Sequence, residues 1–278
     1  MKKYFALLGI MPLLTGCFKA DMEFEDQYEP VVEAYLYVNK EVGNIKLSNM
    51  ISFGADSLGG ESITNAEVVL EGEDNSWELI HDDSIPGRYY MEEQPALIPG
   101  DTFRLKVELN QESLSALTVI PEEPPAVSMS STSIYVPKVD AMRDFMGIEM
   151  PDPVELTWDN PEAKYYFLDI QNIESYPMSI MPDPPEHRPE RPGGFAFQMI
   201  TEPTNNNYYA IDIRQLEYFG MHRIVFTSVN EEYVYLYNSL SQDSRELNEP
   251  YSNISNGLGI FTAFNSDTLY LEVIPNYQ

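Results

Sequence analysis

The chain has 278 residues, 43% hydrophobic and 12% aromatic, with 45 acidic against 16 basic side chains and a formal net charge of −29. That apolar and aromatic content excludes a wholly disordered polypeptide, and the acidity excludes a nucleic-acid binder, because a phosphate backbone needs a basic footprint. A single cysteine, Cys17, excludes a disulfide-stapled fold and leaves no thiol in the body for catalysis or metal binding.

Lys2 and Lys3 precede an apolar run from Tyr4 to Leu14, followed by Thr15 and Gly16 before Cys17, which is the order of a secretory signal. The run is too short for the ~20 residues that span a bilayer as a helix, and no later stretch is longer. Leu14-Thr15-Gly16-Cys17 resembles the lipobox of bacterial lipoproteins. The resemblance implies that residues 1–16 are removed as a signal peptide, that diacylglycerol is joined to the Cys17 thiol, and that the new amine is acylated. Several acyl chains, at ~0.8 kcal/mol per buried methylene, make a lasting membrane anchor. Cleavage removes Lys2 and Lys3, leaving 14 basic against 45 acidic residues and a formal charge of −31. Such a charge opposes docking on anionic lipid, so a covalent anchor has to hold the protein there; otherwise the acidity serves solubility. Residues 17–29 form an acidic tether with no apolar period. Acidic residues directly behind the cysteine resemble the surface-export signals of Bacteroidota lipoproteins, which implies an outer-membrane protein facing the cell exterior.

From Val31 the pattern is β. VVEAYLYV (31–38), NIKLSNM (44–50), AEVVLEG (66–72), SWELIHD (76–82), RYYME (88–92), TFRLKVEL (102–109) and SALTVI (115–120) are short runs parted by Gly, Asn, Asp and Pro. They predict an immunoglobulin-like sandwich over 30–121, closed by the stiff linker Pro121 to Pro125. A second β-domain, 126–278, opens with VSMSSTSIYV (127–136). In VELTWDNPEAKYYFLDIQ (154–171) a tryptophan strand, a turn at Asp159-Asn160-Pro161 and an alternating strand resemble the early hairpin of fibronectin type III domains, which implies a core role for Trp158. The fold class is therefore all-β, two sandwich domains, with a single helix.

Five prolines break the interval 181–194, which reads as an exposed insertion. Loops on a rigid scaffold carry recognition, and Tyr176, His187, Arg188, Arg191 and Phe195, in or beside this one, are the candidate binding residues; a spacer is the competing reading. After the strand HRIVFTSV (222–229), Ser228-Val229-Asn230-Glu231 fits a capping box. A stripe of Tyr233, Leu236, Tyr237, Leu240 and Leu247 predicts a helix near 231–247 that covers a sheet face.

YSNISNGLGIFTAF (251–264), following SVNEEYVYLYNSL (228–240) and ending in TLYLEV (268–273), resembles an uncharacterised family of Bacteroidota outer-membrane lipoproteins with an immunoglobulin-like N-terminal region. The resemblance extends over essentially the mature chain and implies a gene setting beside TonB-dependent receptors, hence a TonB-dependent receptor as partner; it brings no catalytic residues. From the residues themselves, Asn256-Gly257 suits a turn at positive φ and Gly259 a close backbone approach. Ile260, Phe261 and Phe264 read as core, so the block is expected to close the fold.

Chemistry is sparse. His81, His187 and His222 show no metal-ligand spacing, and no nucleophile elbow, phosphate loop or dinucleotide turn is present; no cofactor is expected. The doublets Asp82-Asp83 and Glu122-Glu123 fall in turns and read as solvated. A carboxylate-dependent hydrolase of glycans or peptides stays open on composition, as does calcium on an irregular acidic loop. Asp56-Ser57-Leu58, Asp83-Ser84-Ile85 and Asp267-Thr268-Leu269 resemble O-glycosylation acceptors of Bacteroidota, which implies exposed turns. The expectation is a non-enzymatic accessory or binding lipoprotein, with the surface hydrolase and an adhesin or structural envelope protein as rivals.

Overall fold

The computed structural model describes residues 29–51, 60–138, 149–181, 198–240 and 250–277. Among them the fold is all-β, as expected, with one α-helix and one 3-10 turn. The first half contains β1 (Pro30–Tyr37), β2 (Ile45–Asn49), β3 (Glu67–Glu71), β4 (Ser76–His81), β5 (Arg88–Tyr90), β6 (Thr102–Leu109) and β7 (Glu112–Val119). Alternation sets its inner face: Val32, Ala34 and Leu36 of β1 and Phe103, Leu105 and Val107 of β6 are buried, while Glu33 and Arg104 between them are exposed. The strand order is β1, β2, β5, β4, β3, β6, β7. β4 passes between layers, since Ser76 to Leu79 pair with β3 and Ile80 and His81 with β5. The circuit closes where Ser115 of β7 and Ser255 exchange backbone bonds of 3.3 and 2.8 Å.

The second half contains β8 (Ser128–Met129), β9 (Ser133–Pro137), β10 (Val154–Thr157), β11 (Tyr165–Asn172), β12 (Gln198–Ile200), β13 (Tyr208–Ile211) and β14 (Gly220–Val229). One layer is β12, β11, β14 and the last strand of the chain; the other is β13, β10 and β8. Trp158 is core, as expected, with its ring 4.7 Å from Phe226 and 6.2 Å from Tyr166. The expected hairpin around it does not form. β10 pairs with β13 and β8, whereas β11 pairs with β14 and β12. The turn at Asp159-Asn160-Pro161 instead carries the chain between layers. Asn160 holds that crossing, accepting the Lys164 N–H at 2.9 Å and donating to the Lys164 and Asn205 carbonyls.

β15 (Leu258–Asn276) joins the halves. Leu258 to Phe264 run parallel to β1, Phe264 to Val273 antiparallel to β14, and Glu272 to Asn276 parallel to β9. The predicted strand TLYLEV is only the later part of it. The early part has no alternation because both of its faces are covered, so Ile260 to Asn265 are all buried. Ile254, Phe261 and Ala263 belong to the first core, whereas Leu271 and Val273 belong to the second. Residues 126–278 thus form no unit apart from 30–121: the chain returns to complete the first sandwich.

Helix α1 (Glu231–Leu240) follows β14 directly; positions 241–249, with Leu247, lie outside the described residues. The predicted capping box is not made. Ser228 remains in β14, and the Asn230 amide donates to the Val119 carbonyl at 2.8 Å and the Thr118 hydroxyl at 3.1 Å. The Asn230 carbonyl instead accepts the first helical N–H groups, from Tyr233 and Val234. Val234, outside the predicted stripe, is the buried helix residue, while Leu240 is 66% exposed. The helix does cover a sheet face, packing Val234 and Tyr233 against Phe264, Phe167 and Tyr35.

Candidate functional site

Of the sequence-predicted site residues, Cys17, His187, Arg188, Arg191 and Phe195 lie outside the described residues, as does the interval 182–197. Tyr176 is described and is 97% exposed. It stands in the segment after β11, together with exposed Ile173, Met178 and Met181. That segment is pinned by buried Ile180, whose N–H bonds the Glu217 carbonyl at 2.9 Å, and by the Phe219 N–H on the Met178 carbonyl at 2.8 Å. Sequence reading missed the three apolar companions because no periodicity marks them; their spacing around prolines and serines reads as loop.

Register places this tip. Asn172 at the end of β11 pairs with His222, and His222 with Leu271 of β15. The chain enters the fold at the other end, where Val31 pairs with Leu258. At ~3.3 Å per residue, the stretch of β15 between those levels is about 43 Å long. The first strand's start at Val31 and the end of β11 at Asn172 therefore stand at levels of β15 thirteen residues apart, Leu258 and Leu271.

A second feature is a groove of about 530 Å³ at the junction of the halves. Its walls are the linker from Val119 to Pro125, the crossing loop from Asp159 to Tyr166, and Ser228 to Glu231. Ile120, Tyr166 and Val229 are buried beneath it, while Glu122, Glu123, Asp159, Glu162 and Glu231 stand exposed around it. Among the described residues Lys164 is the one cation lining it, 3.0 Å from Glu162. The hydrogen bond to Glu162 holds the Lys164 pKa above the usual lysine value; desolvation opposes this, and the charges of Glu162, Tyr166 and Glu122 add to it. The walls are tied in place: Asn265 donates to the Pro121 carbonyl at 3.1 Å and Asn230 to the Val119 carbonyl.

The remaining candidates serve the fold. His222 is fully buried, with Nδ1 3.1 Å from the Gly220 carbonyl and Nε2 3.4 Å from the Asn172 amide. A neutral ring donating from Nδ1 satisfies both contacts, and burial pushes its pKa down. His81 accepts the Gly87 N–H on Nε2 and places Nδ1 3.3 Å from Asp83. Asp82 departs from the expected solvated doublet. Hydrogen bonds from the Ser84 hydroxyl and N–H, then the Arg88 guanidinium, hold its pKa down to about 2. Asp83, Glu122 and Glu123 are exposed, as expected. Ser84 lies in an exposed turn with its hydroxyl donating to Asp82 at 2.6 Å; Thr268 is exposed on β15 rather than in a turn, and 56–58 lie outside the described residues. Among the described residues no three His, Cys, Asp or Glu side chains are arranged to hold a metal ion, and no helix is long and apolar enough to cross a membrane.

A family described as a domain of unknown function, DUF4249, matches residues 19–269, an interval that includes both halves and most of the strand joining them. The chain belongs to the DUF4249 family. No curated protein matches this DUF4249 chain. Among solved structures it is similar to the chicken CNTN1 FN1-FN3 domains, at 12% identity and a TM-score of 0.26 over 73% of this chain, and it spans 59% of that chain's length.

Proposed function

We propose that this is a lipid-anchored outer-membrane protein of Bacteroidota that acts without catalysis, as the accessory or binding subunit of a TonB-dependent uptake system. The observation that carries this reading is the distance along β15 between the entry to the fold and the segment after β11. Residue 29, where the tether from Cys17 meets the fold, lies at one end of β15, and Tyr176 with Ile173, Met178 and Met181 lies about 43 Å along it. An anchor before residue 29 and an exposed segment carrying Tyr176, Met178 and Met181 at a distant level of β15 suit a protein that presents a contact surface away from its own membrane attachment. Tyrosine and methionine are enriched at interface centres. Two proteins held in one membrane also meet at high effective concentration, so a small interface is enough to persist.

The test is mild-detergent purification from the native outer membrane of three forms: the natural chain, Cys17→Ser, and the triple variant Tyr176→Ala, Met178→Ser, Met181→Ser. The natural chain should carry acyl label and emerge with a large outer-membrane receptor. Cys17→Ser should lose the label and leave the membrane fraction, and the triple variant should stay in the membrane but emerge alone. Acyl label on Cys17→Ser would sink the anchor. A natural chain that emerges alone, under conditions that keep receptor complexes whole, would sink the accessory role in favour of an adhesin or hydrolase.

A further inference from the structure

From the groove at the junction of the two halves, we infer that this protein holds an extended, cationic peptide segment of a partner protein between its linker and its crossing loop. The proposal is independent of the tip, which lies on other elements.

Charge complementarity selects the occupant. Among the described residues five exposed carboxylates, contributed by three separate stretches of chain, line the groove together with a single lysine. Two of these carboxylates stand on the linker and two on the crossing loop, where Glu162 already pairs with Lys164 at 3.0 Å.

The shape narrows the class further. Beneath the carboxylates lie buried Ile120, Tyr166 and Val229, an apolar floor, with exposed Val119 and half-buried Pro121 on the wall beside it. Lysine and arginine suit such a section, because their methylene stems lie along apolar surface while their heads stay among carboxylates and water. A compact inorganic ion would leave the floor uncovered. At about 530 Å³ the space falls within the ~300–1,000 Å³ usual for binding clefts. Its walls are also preformed: Asn160 locks the crossing loop, while Asn230 and Asn265 hold the linker. Little ordering is then required on binding, which favours affinity.

The probe is a fluorescein-labelled peptide of sequence Lys-Pro-Lys-Val-Lys-Pro-Lys-Val, followed by fluorescence polarisation with the mature lipoprotein in mild detergent. A strongly acidic protein attracts any polycation, so the comparison is between two variants of equal charge. One removes groove carboxylates (Glu122→Gln, Glu123→Gln, Asp159→Asn); the other removes three exposed on the outer face of β3, β4 and β6 (Glu67→Gln, Glu78→Gln, Glu108→Gln). The groove variant should bind at least ~10-fold more weakly, and the outer-face variant within ~3-fold of the natural chain, with melting temperatures of both showing that they fold. Equal losses in the two variants would overturn the proposal, because the general field would then account for binding. So would equal binding of a peptide with glutamine in place of lysine, or no binding at low salt. Displacement by spermine at concentrations matching unlabelled peptide would replace the peptide with a small polyamine, and overturn it too.

Discussion

At Gly259 the chain enters β15 with φ +108°, and a β-carbon built there would lie 2.0 Å from the Val32 carbonyl oxygen. Only glycine adopts that backbone freely, and the facing atom belongs to the backbone of a paired strand, which cannot swing away. Gly259→Val should therefore be destabilising by more than the ~1–3 kcal/mol of a strained backbone alone. For a chain of this size that is a fall in melting temperature of roughly 5–10 °C, measured by circular dichroism; an unchanged value would show that the strand entry is not fixed. This position was legible in the sequence, since a glycine among Leu258, Ile260 and Phe261 interrupts an apolar run without a turn. So was Asn256, whose φ is +62°. The bonds of Asp82 were not legible: its doublet with Asp83 looks like any solvated turn, and only the fold shows Ser84 and Arg88 converging on it.

Among the elements, β15 and α1 meet at Phe264. Its ring lies 5.0 Å from Tyr37 and from Tyr233, 6.0 Å from Tyr35 and 6.1 Å from Phe167, so one side chain touches β1, β11 and the helix. Glu232 adds a polar tie, accepting from the Thr118 hydroxyl at 2.9 Å and the Thr262 hydroxyl at 3.1 Å. Phe264→Ala should cost about 3–5 kcal/mol, the usual range for emptying a buried phenylalanine site. Hydrogen exchange is the sharper readout. Protection should fall both in β1, on the first half, and in β14 and α1, on the second; loss confined to the helix would mean that the junction is not shared. The helix itself was readable from Glu231, Glu232 and the Tyr and Leu spacing. Its buried residue was not, because the face that packs is set by the exit from β14 and the position of Phe264.

For the molecule as a whole, a strand shared by two cores predicts one cooperative unfolding transition. Removing β15 takes Phe261 and Ala263 from the first core as well as Leu271 and Val273 from the second. A fragment of residues 30–121 should therefore show no cooperative melting by itself, although its seven strands read as a complete sandwich; a cooperative transition in that fragment would show that the first half is self-sufficient. Calorimetry of the full mature chain should give a single peak. Local pattern determined most strands, the burial of Trp158 and the fold-closing role of the block ending at Phe264, because alternation and backbone restriction act over a few neighbouring residues. Tertiary structure alone decided that β10 and β11 lie in different layers, that residues 258–276 serve both halves, and that carboxylates from the linker, the crossing loop and the start of the helix surround one groove. Those relations join residues far apart in the chain, as in the bond from Asn265 to Pro121 with its sequence separation of 144, and no short-range pattern records which distant segments will meet.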